Sequence, residues 1–101
     1  MVTAVSSDQR LQNPDRFSLE QNYPNPFNAS TTIRYGLPNR SHVTLAFFNT
    51  LGQQIAVLHN GEQEAGYHEV GYDGSELSSG MYFYRLQAGD YIKTRKVLLL
   101  K

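Results

Sequence analysis

The chain has no cysteine, and that absence removes disulfides, a thiolate zinc site and a cysteine nucleophile. It has no tryptophan either, the side chain with the largest stacking face. A surplus of one charge is also missing. Nine basic residues balance nine acidic ones, so no electrostatic footprint points to nucleic acid or to an anionic membrane. No apolar run approaches the length of a spanning helix, which argues against direct membrane insertion. The opening MVTAVSSDQR lacks a basic start and an apolar core, so it does not read as a signal peptide; an exported parent would carry its signal upstream. At 101 residues the chain has the size of one domain.

What is present is alternation. TTIRYGL sets Ile33, Tyr35 and Leu37 against Thr32 and Arg34, and HVTLAFFN sets Val43, Leu45 and Phe47 on one face. QQIAVLH groups Ile55 with Val57, YHEVGYDG groups Val70 with Tyr72, and GMYFYRLQ groups Tyr82, Tyr84 and Leu86. YIKTRKVLLLK reads as a last strand whose phase its pattern does not settle. Period two over short runs marks half-buried strands. Turn chemistry separates them: LPNRS, NTLGQ with Gly52 in the left-handed position, NGE, the Asp73-Gly74 pair, LSSG ending at Gly80, and QAGDY. About seven strands, with turns roughly every 8–12 residues, predict an all-β, Ig-like antiparallel β-sandwich over residues 17–101. Residues 1–16 are polar and aperiodic and read as a linker or disordered arm. The expected core is Ile33, Tyr35, Val43, Leu45, Phe47, Val57, Val70, Tyr82, Tyr84 and Leu86.

One segment resists this scheme. In LEQNYPNPFN, Pro24 and Pro26 flank Asn25, with Tyr23 and Phe27 outside them. Proline donates no hydrogen bond and excludes a helix or a central strand here. The segment is therefore expected at a sheet edge in extended or polyproline II form, with Tyr23 and Phe27 plugging the gap between the sheets.

Chemistry-bearing residues do not assemble into a reaction site. His42, His59 and His68 share no strand spacing suited to a metal, and surface or turn positions explain them. The acids Glu62, Glu64, Glu69, Asp73 and Glu76 lie in turn-rich sequence, and a calcium site needs six to eight converging oxygens. Ser75, Ser78 and Ser79 stand outside any nucleophile elbow. No enzyme, cofactor or metal is expected, and the sequons at Asn28 and Asn39 read as chance. Consecutive aromatics carry more information. Phe47 and Phe48, and Tyr82, Phe83 and Tyr84, must point to both faces of their strands. The outward ones could stack on sugar rings, the alternative reading as a carbohydrate-binding accessory module, or could be covered by a protein partner. The basic residues Lys93, Arg95, Lys96 and Lys101 around VLLL form either a paired strand with a basic outer face or an address read by strand addition.

The run QNYPNPFNASTTIRYGLP resembles the opening of the type A C-terminal sorting domain of the type IX secretion system of Bacteroidetes-like bacteria. The resemblance continues through VTLAFFNTLGQQIAVL and AGYHEVGYDGSELSSGMYFYRLQAGDYIKTRKVLLLK, so it covers residues 17–101. Tyr23, Pro24, Asn25, Pro26, Phe27, Gly52, Asp73, Gly74 and Gly80 carry it. The chain departs from the pattern at Ala29, where proline is usual, and at Tyr72, where tryptophan is common. The Ig-like domain of the flagellar hook-capping family is similar in style. The resemblance implies a non-catalytic module that directs an upstream cargo domain through periplasm and outer membrane to the cell surface or medium. Its implied partners are the outer-membrane secretion machinery and a sortase-like protease; a weak dimer is a separate expectation.

Overall fold

Eight strands make up the computed structural model, which describes residues 14–101. They are β1 (Ser18–Leu19), β2 (Tyr23–Asn28), β3 (Ser30–Leu37), β4 (Ser41–Phe48), β5 (Gln54–Gln63), β6 (Gly66–Asp73), β7 (Gly80–Ala88) and β8 (Tyr91–Leu99). The single first strand expected from the sequence is divided in two, as β1 and β2; the other six fall near where alternation placed them, except that NGE, read as a turn, lies within β5 with Gly61 opposite Val43 and Glu62 opposite His42, so the chain reverses at Glu64 and Ala65. Most of the arm read at residues 1–16 lies outside the described residues, and Pro14 is buried beside Gly36.

In one sheet β3 pairs along its whole length with β6, from Ser30↔Asp73 to Leu37↔Gly66. Its other edge is shared, with β1 at Tyr35 and Gly36 and β2 at Ser30 and Thr32. The second sheet runs β5-β4-β7-β8 and is antiparallel throughout. Strand β2 also pairs with β8, in parallel, at Phe27↔Leu99. One side of the sandwich is thereby closed, while β5 and β6 form the edges of the other side.

The core lies where the two alternating faces meet. Leu19, Phe27, Ile33, Tyr35, Leu37, Val43, Leu45, Phe47, Tyr84, Leu86, Val97 and Leu99 are all at most 2% exposed. Phe47 centres an aromatic cluster, with Tyr72 at 4.4 Å, Tyr82 at 5.8 Å and Tyr84 at 6.4 Å between ring centroids. Such tilted and offset rings add to what area burial supplies. Of the expected core, Val70 is half-buried and packs against the core's edge.

Val57 corrects the sequence reading, because it is 49% exposed. Leu45 pairs with His59, yet the next residue, Ala46, pairs with Val57. The extra residue, Leu58, is a bulge that reverses the parity of β5. Ala56 and Leu58 pack on the core, and Ile55 and Val57 are left outside.

Tyr23 is a second correction: it is 80% exposed and plugs nothing. It pairs with the outward-facing Thr32, and the register of β2 shifts between Tyr23 and Asn28. Residues of equal parity, Tyr23 and Phe27, therefore point to opposite sides. The proline segment is extended, as strand β2, but it does not lie on an outer edge. The Tyr23–Pro24 and Asn25–Pro26 bonds are both cis, and the strand lies in the seam between the two sheets.

Candidate functional site

Of the residues singled out from sequence, Pro24, Asn25, Pro26 and Phe27 lie in the seam where β2 meets β8, and Asp73, Gly74 and Gly80 flank the β6–β7 loop beside it. Asn22, 3% exposed, organises the seam. Its backbone N–H donates to the Tyr84 hydroxyl at 2.7 Å, and its Nδ2 donates to the Pro24 carbonyl oxygen at 3.0 Å and to Thr31 Oγ1 at 2.9 Å. Thr31 Oγ1 donates in turn to the Pro24 oxygen at 2.9 Å. The Tyr84 hydroxyl donates to the Glu20 carbonyl oxygen at 2.7 Å. Burial pushes this hydroxyl up to about 12, against smaller lowering by the Asn22 N–H and by Arg95.

The N-terminal segment covers the free edge of β8. Gln21 Nε2 donates to the Lys96 carbonyl oxygen at 2.8 Å. Asn25 Oδ1 accepts the Leu98 N–H at 3.2 Å, and the Phe27 carbonyl oxygen accepts the Leu100 N–H at 2.9 Å. Asn25 thus stands in for the ladder partner that the flanking prolines do not supply.

Phe27, 1% exposed, anchors the seam from within. Its ring lies so close to Gly74 that a Cβ there would sit 3.1 Å from ring carbon Cε2. Gly74 is therefore a close-approach glycine. Its N–H donates to the Ala29 carbonyl oxygen at 2.6 Å, and Asp73 Oδ1 accepts the Ser75 N–H at 3.0 Å. This side-chain-to-backbone turn explains Asp73 without an ion.

The four basic residues do not form one patch. Lys93 and Lys96 are exposed, but they stand at alternating positions and so on opposite faces of β8. Arg95 is half-buried, and its Nε donates to the Leu19 carbonyl oxygen at 2.6 Å, so it holds β1 and is not an outward charge. Lys101 folds back onto the β6–β7 loop: its N–H donates to Ser79 Oγ at 3.0 Å and its Nζ to the Ser75 oxygen at 2.5 Å. Gly52 serves the β4–β5 turn away from the seam with φ of 82°, whereas Gly80 opens β7 beside the seam, opposite Leu99, with φ of 152°. Of the acids, Glu62 and Glu64 pair with Arg40, and among the described residues no three metal-ligating side chains converge.

Sequence reasoning missed Asn22, Gln21 and Thr31. Each is a lone polar residue beside the proline motif, and only the pairing of β2 with β8, through Phe27 and Leu99 far apart in sequence, gives it work. Tyr84 was legible as core, but its hydroxyl's partners were not.

The described residues form a two-sheet, Ig-like sandwich closed on one side by the pairing of β2 with β8. The model of one family, described as the secretion system C-terminal sorting domain, matches residues 21–100. The chain belongs to that family, and it is a sorting module of the type IX secretion system, directing cargo through the outer membrane to the cell surface or medium. The family is in general non-catalytic, and the secretion machinery is its partner. Among solved structures, the chain is similar to PorZ of Porphyromonas gingivalis, described as an essential bacterial surface component of the type IX secretion system, with a TM-score of 0.54 and 17% identity. The match covers 86% of this chain and 12% of that one, and it shows the shared fold. No curated protein sequence matches.

Proposed function

We propose that residues 17–101 suffice as the sorting signal and that the machinery reads it folded, through side chains of β8 and its flank. The observation that carries this reading is the covered edge of β8. The Lys96 oxygen and the Leu98 and Leu100 N–H groups are already bonded to Gln21, Asn25 and Phe27. Strand addition along that stretch would first have to displace them. Lys93, Lys96 and Lys101 remain accessible as the cations a partner would meet, while Arg95 supports them by holding Leu19. The module performs no reaction itself. An upstream cargo domain, a sortase-like protease that separates it from the module, and a weak dimer complete the proposed assembly.

The test fuses residues 17–101 behind a periplasm-exported reporter in a host with this secretion system. Lys93→Ser, Lys96→Ser and Lys101→Ser together should lower reporter export while circular dichroism and melting stay near those of the parent. Unchanged export by the triple variant would refute the reading of β8.

A further inference from the structure

The outer face of the β5-β4-β7-β8 sheet carries a hollow of about 220 Å3 that the export reading does not use. Its floor is Phe48 and Phe83, which face each other directly across β4 and β7 and are only half-buried. The Arg85 guanidinium lies over the Phe48 ring, 4.7 Å from its centroid, and Thr94 stands opposite Arg85 on β8. A rim is supplied by the β4–β5 turn, which is internally braced. Asn49 Oδ1 accepts the N–H groups of Leu51 and Gln53, each at 2.9 Å, and its Nδ2 donates to Gln53 Oε1 at 2.7 Å. Binding here would need little reordering of the turn.

Charge on this face is one-sided. Lys96 stands opposite Phe83, next to Arg85 on the sheet, and both cations are exposed. Among the described residues neither makes an ion pair. The acid that register places on the same face, Glu62 opposite His42, is already bonded to Arg40 at 3.3 Å and to His42 at 3.8 Å. Stacking on Phe48 occupies one flat side of the guanidinium and leaves its N–H edge available, the geometry that takes a carboxylate in a two-pronged bond. Exposed Val57, opposite Ala46, extends the apolar surface toward the open edge of β5.

We infer that this hollow is a binding site for an acidic peptide segment, one that lays an aromatic side chain on Phe48 and Phe83 and gives a neighbouring carboxylate to Arg85. A neutral sugar would stack on the same floor but leave both cations without a counter-charge, so the one-sided charge favours the peptide. The site shares Lys96 with the export reading, but its test reads direct binding at Phe48, Phe83 and Arg85, so its failure is distinguishable from failure of the export proposal.

The test uses the whole 101-residue chain, labelled with 15N, titrated with acetyl-Phe-Asp-amide and observed through its amide resonances. Saturable shifts should concentrate at Phe48, Asn49, Phe83, Arg85 and Thr94. Acetyl-Phe-Asn-amide should bind about tenfold more weakly, as should the Arg85→Gln variant toward the Asp peptide. Glucuronate and maltotriose should bind more weakly still. The inference is overturned if the Asp peptide leaves these resonances unmoved, if Arg85→Gln binds it as tightly as the parent, or if either sugar binds here more tightly than the peptide. Preserved spectral dispersion in Arg85→Gln keeps the comparison valid, and Arg85→Lys, which retains charge without the fork, should fall between the two.

Discussion

The hydroxyl of Tyr84 on β7 accepts the backbone N–H of Asn22 at 2.7 Å across 62 residues of sequence, in a place sealed from water. The same oxygen donates its proton to Glu20, so one atom ties the N-terminal segment to the centre of the second sheet. Removing it by Tyr84→Phe strands the buried Asn22 N–H and takes a donor from the part-buried Glu20 carbonyl. The expected loss is about 1–3 kcal/mol of unfolding free energy, measured by urea denaturation. A loss within experimental error of zero would show that the Asn22 N–H finds another acceptor.

Alkaline pH acts on the same hydroxyl. Its pKa rises from 10.0 to about 12 on folding, mainly through burial. A raised pKa means that the fold favours the protonated form, so this stabilisation is complete below pH 10 and is lost as pH climbs through about 12. Burial raises Tyr35 and Tyr72 in the same direction. The urea midpoint should therefore be level up to about pH 10 and fall above it. Tyr84→Phe should start lower and fall less steeply, and parallel curves for the two proteins would assign the alkaline loss to other groups.

Ala29 turns between β2 and β3 with φ of 77°, a left-handed conformation that costs a side chain with a Cβ about 1–2 kcal/mol. Ala29→Gly should recover roughly 1 kcal/mol of that, less the entropy glycine loses on folding, and raise the melting temperature. Proline, usual in the family at this place, fixes φ near −65° and could not adopt this backbone. Ala29→Pro should therefore lower the melting temperature in this chain. A stabilised proline variant would mean that the turn relaxes to a different shape.

Gly74→Ala would place a methyl 3.1 Å from the buried Phe27 ring. With the ring fully enclosed, the loss should be about 1–3 kcal/mol. Leu45→Ala, in the middle of the core, should cost about 2–5 kcal/mol, whereas Val57→Thr on the outer face should change stability by about half a kilocalorie or less. The two outcomes reversed would mean that the faces of β4 and β5 are inverted.

Strands that kept strict alternation were legible in the sequence down to single residues. Ile33, Tyr35 and Leu37 are fully buried because nothing interrupts the pairing of β3 with β6. Val57 and Tyr23 were misplaced for a common reason: a register shift between paired strands changes which parity faces inward, and no residue in QQIAVLH or NYPNPF announces it. The candidate surface was legible as a set of residues but not as an arrangement. Lys93, Arg95 and Lys96 are close in sequence, yet strand pleating and the bond from Arg95 to Leu19 disperse them. The hollow at Phe48 and Phe83 could be suspected from consecutive aromatics. The stacking of Arg85 upon it depends on which residues of β4 and β7 lie opposite each other.

The parallel pairing of Phe27 with Leu99 and the bond from Leu100 to Phe27 set an order on synthesis. While the chain emerges from its N-terminal end, Phe27 has no lid, and Val97 and Leu99 are still to be made. The seam cannot close until β8 is available. A chain interrupted before Val97 would leave the Phe27 pocket open and β7 with an unpaired edge. Closure of the seam therefore waits on β8, the strand that pairs with both β2 and β7.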